Sequence, residues 1–182
     1  MPQRHPALPA IWLISDARND AQIERILAKL PRGSGLIYRH YHLAPAERRA
    51  RFEQLARFAR RRGHRLVLAD PARKAGAWRA DGAYGPSVQL ARGPAMLRLV
   101  TAHSLAEIAA ARRSRADAVL LSPVFATRSH PGARTLGAMR FRLLTARVGM
   151  PVIALGGMTA DRARRIGATY WAAIDGLIPK DS

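Results

Sequence analysis

Short apolar runs alternate along this chain with longer stretches in which apolar residues recur every three to four positions. Residues 11–14 (IWLI) read as a buried strand, ended by Ser15-Asp16. From 20 to 30, Ile23, Ile26, Leu27 and Leu30 share one helical face, and Pro31 stops the helix. Residues 35–38 form a second strand. The spacing then predicts a long helix over 45–62, with Phe52, Leu55, Phe58 and Ala59 on one face and Gly63 suited to its C-terminal cap. Its other face carries Arg48, Arg49, Arg51, Arg57 and Arg60 to Arg62, and reads as a solvated face.

Strands follow at 66–69, 81–84 and 96–101, with a short helix after Asp70-Pro71 reaching Trp78. Ser104 and Glu107 stand at capping-box spacing before a helix through Arg113. A sixth strand at 118–121 leads into a polar loop over 122–137 and a helix to about Val148. The seventh strand, 151–155, is broken by Gly156-Gly157, and a helix begins at Thr159 or Asp161. The eighth strand is 170–174. Near-continuous apolar strands separated by helices indicate parallel strands covered on both faces. The expectation is an α/β fold of one domain over 1–182, a compact (β/α)8 TIM barrel with trimmed helices. A doubly wound open sheet is the alternative. Two helices look cut short: only 85–94 separate strands four and five, and eight residues follow strand eight. An uncovered apolar wall there would favour a homo-oligomer.

The chain has 182 residues, 48% hydrophobic, which suffices for a core without staples. It has no cysteine, which excludes disulfides, thiolate metal sites and cysteine nucleophiles. No apolar run approaches the ~18 residues of a membrane span. Residues 1–9 lack the apolar stretch of a secretory signal, so a cytoplasmic protein with no membrane partner is expected. Lys and Arg number 31 against 12 Asp and Glu, a net charge of +19, and all but three of the cations are Arg. Such an excess attracts polyanions, phosphorylated metabolites included, although an Arg-favouring codon usage gives the same composition. The Arg are spread along the whole chain. No nucleic-acid module or aromatic stacking platform accompanies them, so a basic nucleic-acid binder ranks behind a protein that takes a phosphorylated small molecule.

In a parallel barrel the chemistry gathers at the C-terminal ends of the strands. That rule selects Asp16, Arg39, Tyr41, Asp70, Thr101, His103, the 122–130 loop, and Gly156-Gly157. Two glycines between a strand and a helix let main-chain N–H groups approach an anion, as a phosphate needs, and they equally serve a tight turn with positive φ. The 122–130 loop collects Thr127, Arg128, Ser129 and His130, the donors of an oxyanion clamp, or the ordinary residues of a solvated loop. Asp70 could hold Mg2+, or simply start a helix turn. His103 could be a general acid or base, or a structural His beside Ser104. His40 and His42 share a face of an extended segment but lack a third ligand nearby in sequence.

Residues 101–132, TAHSLAEIAAARRSRADAVLLSPVFATRSHPG, and residues 151–159, PVIALGGMT, together resemble the thiamine phosphate synthase family and its thiazole tautomerase (TenI-like) relatives. The resemblance implies a barrel that joins a hydroxymethylpyrimidine pyrophosphate to a thiazole phosphate with release of pyrophosphate, helped by Mg2+. It places Thr127 and Ser129 on the pyrophosphate-binding hydroxyls, His130 where the family has Lys, and Gly156 and Gly157 on the thiazole phosphate site. By the same resemblance Arg39 falls on the Arg of a Gln-x-Arg-x-Lys strand and Asp70 on a Mg2+-binding Asp. Thr101 and His103 fall in its Ser/Thr-x-His-Ser turn, facing substrate. Several positions depart from the family pattern. Ile37 and Tyr41 replace the Gln and Lys, Ala69 and Pro71 flank Asp70, and Asp175 replaces a phosphate-holding Ser, where its charge opposes a phosphate. Pro123 replaces the tautomerase His. The departures fall on the pyrimidine pyrophosphate and metal side. The alternatives are a tautomerase-like enzyme and a non-catalytic protein that binds a phosphorylated metabolite.

Overall fold

The computed structural model describes residues 8–129 and 131–178. Eight parallel strands, β1 (Ile11–Ile14), β2 (Gly35–Tyr38), β3 (Arg65–Leu68), β4 (Gly82–Gly85), β5 (Leu97–Ala102), β6 (Ala118–Leu121), β7 (Val152–Ala154) and β8 (Tyr170–Ala173), pair in chain order. They close into a barrel through Ile11 against Trp171. Between them lie α1 (Ile23–Lys29), α2 (Pro45–Arg61), α3 (Ala72–Ala77), α4 (Ser87–Leu90), α5 (Leu105–Arg113), α6 (Gly137–Val148) and α7 (Ala160–Ile166). The two trimmed places are real: α4 has four residues, and among the described residues no helix follows β8. The opening turn of the first helical stretch is a 3-10 helix over Asp20–Gln22, so α1 proper starts later than its apolar spacing suggests. No helix among the described residues is long and apolar enough to cross a membrane.

Alternation along each strand divides the core in two. Trp12, Ile14, Ile37, Val67, Leu99, Leu120, Ile153 and Ala172 point inward and fill the barrel as a packed core. Leu13, Leu36, Leu66, Leu68, Val100, Val119 and Leu121 point outward against the helices. Trp12 is the largest inward side chain and is fully buried. Its strand partner is Gly35, and a Cβ there would land on the indole ring.

The solvated face expected for α2 is only partly solvated. Arg48 is 6% exposed: its Nη1 lies 2.5 Å from Asp70 Oδ2, its Nε donates to the Arg39 carbonyl, and its guanidinium rests against Tyr38, Tyr41 and Trp78. Arg51 pairs with Glu24 and Asp20. These two cations tie α2 to the strand ends and to α1.

His64, at the start of the third strand segment, is buried with Nε2 3.0 Å from the Leu27 carbonyl and no partner for Nδ1. Burial lowers its pKa from 6.5, against the pull of the Leu27 carbonyl. The unfolded chain therefore takes up a proton near pH 6.5 that the folded chain refuses. Stability is complete above that pH and falls as pH drops through the window below it, at no more than about 1.4 kcal/mol per pH unit for this one group. Urea denaturation at pH 7.5, 6 and 5 is expected to show that fall, with a shallower slope in His64→Gln. Equal slopes in both proteins would refute the assignment.

Candidate functional site

The strand-end residues converge on one mouth. On the β1–β2 side is a hollow of about 210 Å3 lined by Ser15, Asp16, Ala17, Arg39, His40, Tyr41 and His42. Ser15 Oγ accepts the Arg39 N–H at 2.7 Å and fixes the end of β2 to the end of β1. The Arg39 guanidinium lies 5.6 Å from the Tyr41 ring centroid and has no carboxylate partner among the described residues. Tyr84 shares the interior below it, and burial pushes its hydroxyl up to about 12 while the charge of Arg39 pulls the other way.

Across the mouth, the loops after β6 and β7 are stitched together. Val124 N–H donates to Leu155 O at 2.8 Å, and Phe125 N–H to Gly156 O at 3.1 Å. Gly156 and Gly157 have φ of 95° and 59°. A Cβ on Gly156 would sit 2.7 Å from Pro123 Cα, and one on Gly157 would collide with the Ala126 carbonyl. Both sequence readings of the doublet are therefore realised in part: the glycines satisfy a positive-φ turn and a close approach of backbones. Their two N–H groups have no acceptor among the described residues. The loop after β6 carries Thr127 and Ser129, both half-buried, with Ser129 N–H 3.4 Å from Thr127 Oγ1. His130 lies outside the described residues.

On β5, Thr101 follows Leu97 and Leu99 in the inward register. His103 is exposed at the rim, with Nδ1 2.7 Å from the Ser122 carbonyl. A carbonyl only accepts, so Nδ1 carries a ring hydrogen and donates it there. Glu107 N–H donates to Ser104 Oγ, while the Glu107 carboxylate accepts from the His103 N–H at 2.6 Å. The capping box thus holds His103 in place.

Asp70 does not fit Mg2+. Its carboxylate already meets Arg48 at 2.5 Å and Lys74 at 3.2 Å, and among the described residues it joins no group of three potential ligands. Two ammonium or guanidinium charges on one carboxylate oppose a hard dication that needs several oxygen donors.

Arg18 and Asn19 were silent in the residue pattern. Arg18 donates to Asp16 Oδ1 at 2.8 Å, Asp175 Oδ2 at 3.0 Å and Ser129 Oγ at 2.8 Å, joining the loops after β1, β6 and β8. Burial raises the Asp16 pKa, but the hydrogen bonds and charge of Arg18 outweigh it and hold the carboxyl below 3.8. One guanidinium thereby serves two carboxylates, which offsets part of the repulsion the charge of Asp175 alone implies. Asn19 is buried; its amide donates to the carbonyls of Ile14 and Ile174, and its oxygen accepts the Asp16 N–H. The Asp16-x-x-Asn19 spacing, suited to an Asx turn, was the available signal.

With this mouth in view, the thiamine monophosphate synthase family model, TMP-TENI, matches residues 11–177. The chain belongs to this family. An Aquifex aeolicus protein named as a thiamine-phosphate synthase is 36% identical over 81 residues, 44% of this chain and 44% of that protein, so the match spans less than half of that relative's length. The thiamine-phosphate synthase of Chloroflexus aurantiacus is 29% identical over 94% of this chain and 86% of its own. Among solved structures, thiamine phosphate pyrophosphorylase from Pyrococcus furiosus superposes with a TM-score of 0.77 at 24% identity, over 94% of this chain and 88% of that one, which supports the barrel. The coarse functional class of these thiamine monophosphate synthase relatives is thiamine biosynthesis.

Proposed function

We propose that the protein is a thiamine phosphate synthase-like enzyme that joins hydroxymethylpyrimidine pyrophosphate to a thiazole phosphate. The observation that carries this reading is the pairing of the two acceptor-free amides of Gly156 and Gly157 with the hydroxyl-bearing Thr127–Ser129 segment across one stitched loop pair. Main-chain amides suit the thiazole phosphate, because they point as fixed donors and carry no side chain to move. Thr127 and Ser129 hydroxyls and the uncommitted guanidinium of Arg39 suit the pyrophosphate. In the reaction the bond between the pyrimidine methylene and pyrophosphate breaks, with the electron pair leaving on pyrophosphate. The thiazole nitrogen supplies the pair for the new carbon–nitrogen bond. Fixed donors aimed at the departing oxygens stabilise the charge as it develops. Thr101 and His103 line the rim from which the thiazole approaches, with the His103 ring held in place by the bond at Nδ1. Mg2+ bound to pyrophosphate would add charge neutralisation; Asp70 is not assigned to it.

A second reading, a non-catalytic protein that binds a phosphorylated metabolite, is favoured by the closed Asp70 site and by Ile37, which is buried in the barrel interior where the family has a polar Gln. One experiment separates the two. Incubation of the purified protein with both thiamine precursors and Mg2+ is expected to release pyrophosphate and yield thiamine phosphate. No product, together with a raised Tm in thiazole phosphate, would transfer the assignment to the binding protein. No product and no shift in Tm would end both.

A further inference from the structure

The fold supplies what the His40-x-His42 pair lacks in sequence. Asp20, from the turn before α1, comes up beside them, and ligand atoms of Asp20, His40 and His42 all lie within 4.8 Å of one another. We propose that these three side chains form a binding site for a divalent transition-metal ion, with ligands of two imidazoles and one carboxylate. The site is distinct from the glycine cradle and does not depend on the reaction proposed above.

Four observations carry it. His40 is completely buried, and its Nε2 has no hydrogen-bond partner. That nitrogen lies 2.8 Å from Asp20 Oδ1, so an imidazole nitrogen and a carboxylate oxygen already stand together as two ligands of one ion would. Second, the other ring nitrogen, Nδ1, is held 2.7 Å from Ser15 Oγ, and the ring stacks on Tyr38 with centroids 4.5 Å apart. An outer partner of this kind fixes the aim of a ligating imidazole. Third, His40 adopts φ of 41°, in the left-handed region uncommon for residues other than glycine. Fourth, the charge is suitable. Arg51 faces Asp20 at 2.9 Å, but its Nη1 and Nη2 also engage both oxygens of Glu24, so one cation serves two carboxylates and a negative charge is left over.

Donor atoms around a tetrahedral ion with bonds of about 2.0–2.1 Å stand roughly 3.4 Å apart, so Asp20 and His40, at 2.8 Å, must part slightly while wider spacings within the 4.8 Å group close. The exposed His42 has that freedom. Nitrogen and oxygen donors suit Zn2+ or Fe2+ and not Mg2+. Three protein ligands leave further positions open, and His40 and His42 line the 210 Å3 hollow.

The test uses the full, untagged chain, stripped with a chelator and titrated calorimetrically with ZnCl2. One Zn2+ per chain is expected, with no uptake of Mg2+. His42→Ala and Asp20→Asn should each weaken binding at least tenfold. His42 is exposed, so His42→Ala should keep the wild-type circular dichroism and Tm in the absence of metal. His103→Ala, at the opposite rim, should bind Zn2+ as the wild type does. Absence of stoichiometric uptake, unchanged affinity in His42→Ala and Asp20→Asn, or an equal loss in His103→Ala would each overturn the site.

Discussion

Gly35→Ala is expected to destabilise the protein by at least about 3 kcal/mol, enough to remove much of the stability of a domain of this size. The usual effect of this exchange runs the other way. Where the backbone permits it, alanine in place of glycine stiffens the unfolded chain and adds stability. Gly35 sits in β2 with ordinary strand geometry, so the backbone raises no objection. The obstacle is the Trp12 indole, which occupies the space a Cβ would need. Trp12 is fully buried among inward side chains from the other strands and cannot swing aside without displacing them. Chemical denaturation gives the measurement. Trp12→Val in the Gly35→Ala background is expected to recover part of the loss, although Trp12→Val alone costs stability through its cavity. A Gly35→Ala protein with wild-type Tm would show that the indole does not fill the barrel floor as described.

That packing pair also marks where sequence pattern stops being informative. Eight apolar runs of the right length, each followed by a polar or glycine turn, were enough to specify eight parallel strands and hence the mouth at their C-terminal ends. The same rule brought Arg39, Thr101, His103 and the glycine doublet to that mouth, because each lies close to a strand end. It could not find partnerships between side chains far apart in the chain. Asp70 reads as a metal ligand until Arg48, 22 residues away, is seen to occupy it. Arg48 in turn reads as one more solvated arginine on α2, because periodicity counts a cation as polar whether or not a carboxylate and three aromatic rings await it. Asp20 and His40 are 20 positions apart, and nothing in either segment announces the other. Long-range ion pairs are set by the closure of the barrel, and closure is a property of all eight strands together.

Arg18→Ala is the corresponding test of the mouth, and it is expected to weaken binding of a thiazole phosphate on the order of 100-fold. Two effects add. The substitution removes the cation that holds Ser129 at 2.8 Å, so the loop after β6, to which the Gly156 turn is stitched through Phe125, loses its tie to the loop after β1. It also leaves Asp16 and Asp175 without the partner that offsets their charge, at the place where a dianion must arrive. The second effect can be isolated. Asp175→Ser in the Arg18→Ala background deletes the stranded carboxylate and restores the residue type the family pattern has there. Binding should then rise at least tenfold above the Arg18→Ala value, short of the wild type because Ser129 remains untied. Asp16 provides an internal check. With Arg18 present its carboxyl is held below 3.8, so the pair stabilises the folded chain above that pH and the contribution disappears as pH falls through the lowered value. In Arg18→Ala the side-chain hydrogen bond and charge of Arg18 are gone, and only the residue 18 N–H and the charge of Arg39 still oppose burial, so the Asp16 pKa moves upward and the acid limb of the stability profile begins at higher pH. Wild-type affinity in Arg18→Ala, or no recovery on adding Asp175→Ser, would mean that the phosphate does not enter between these loops.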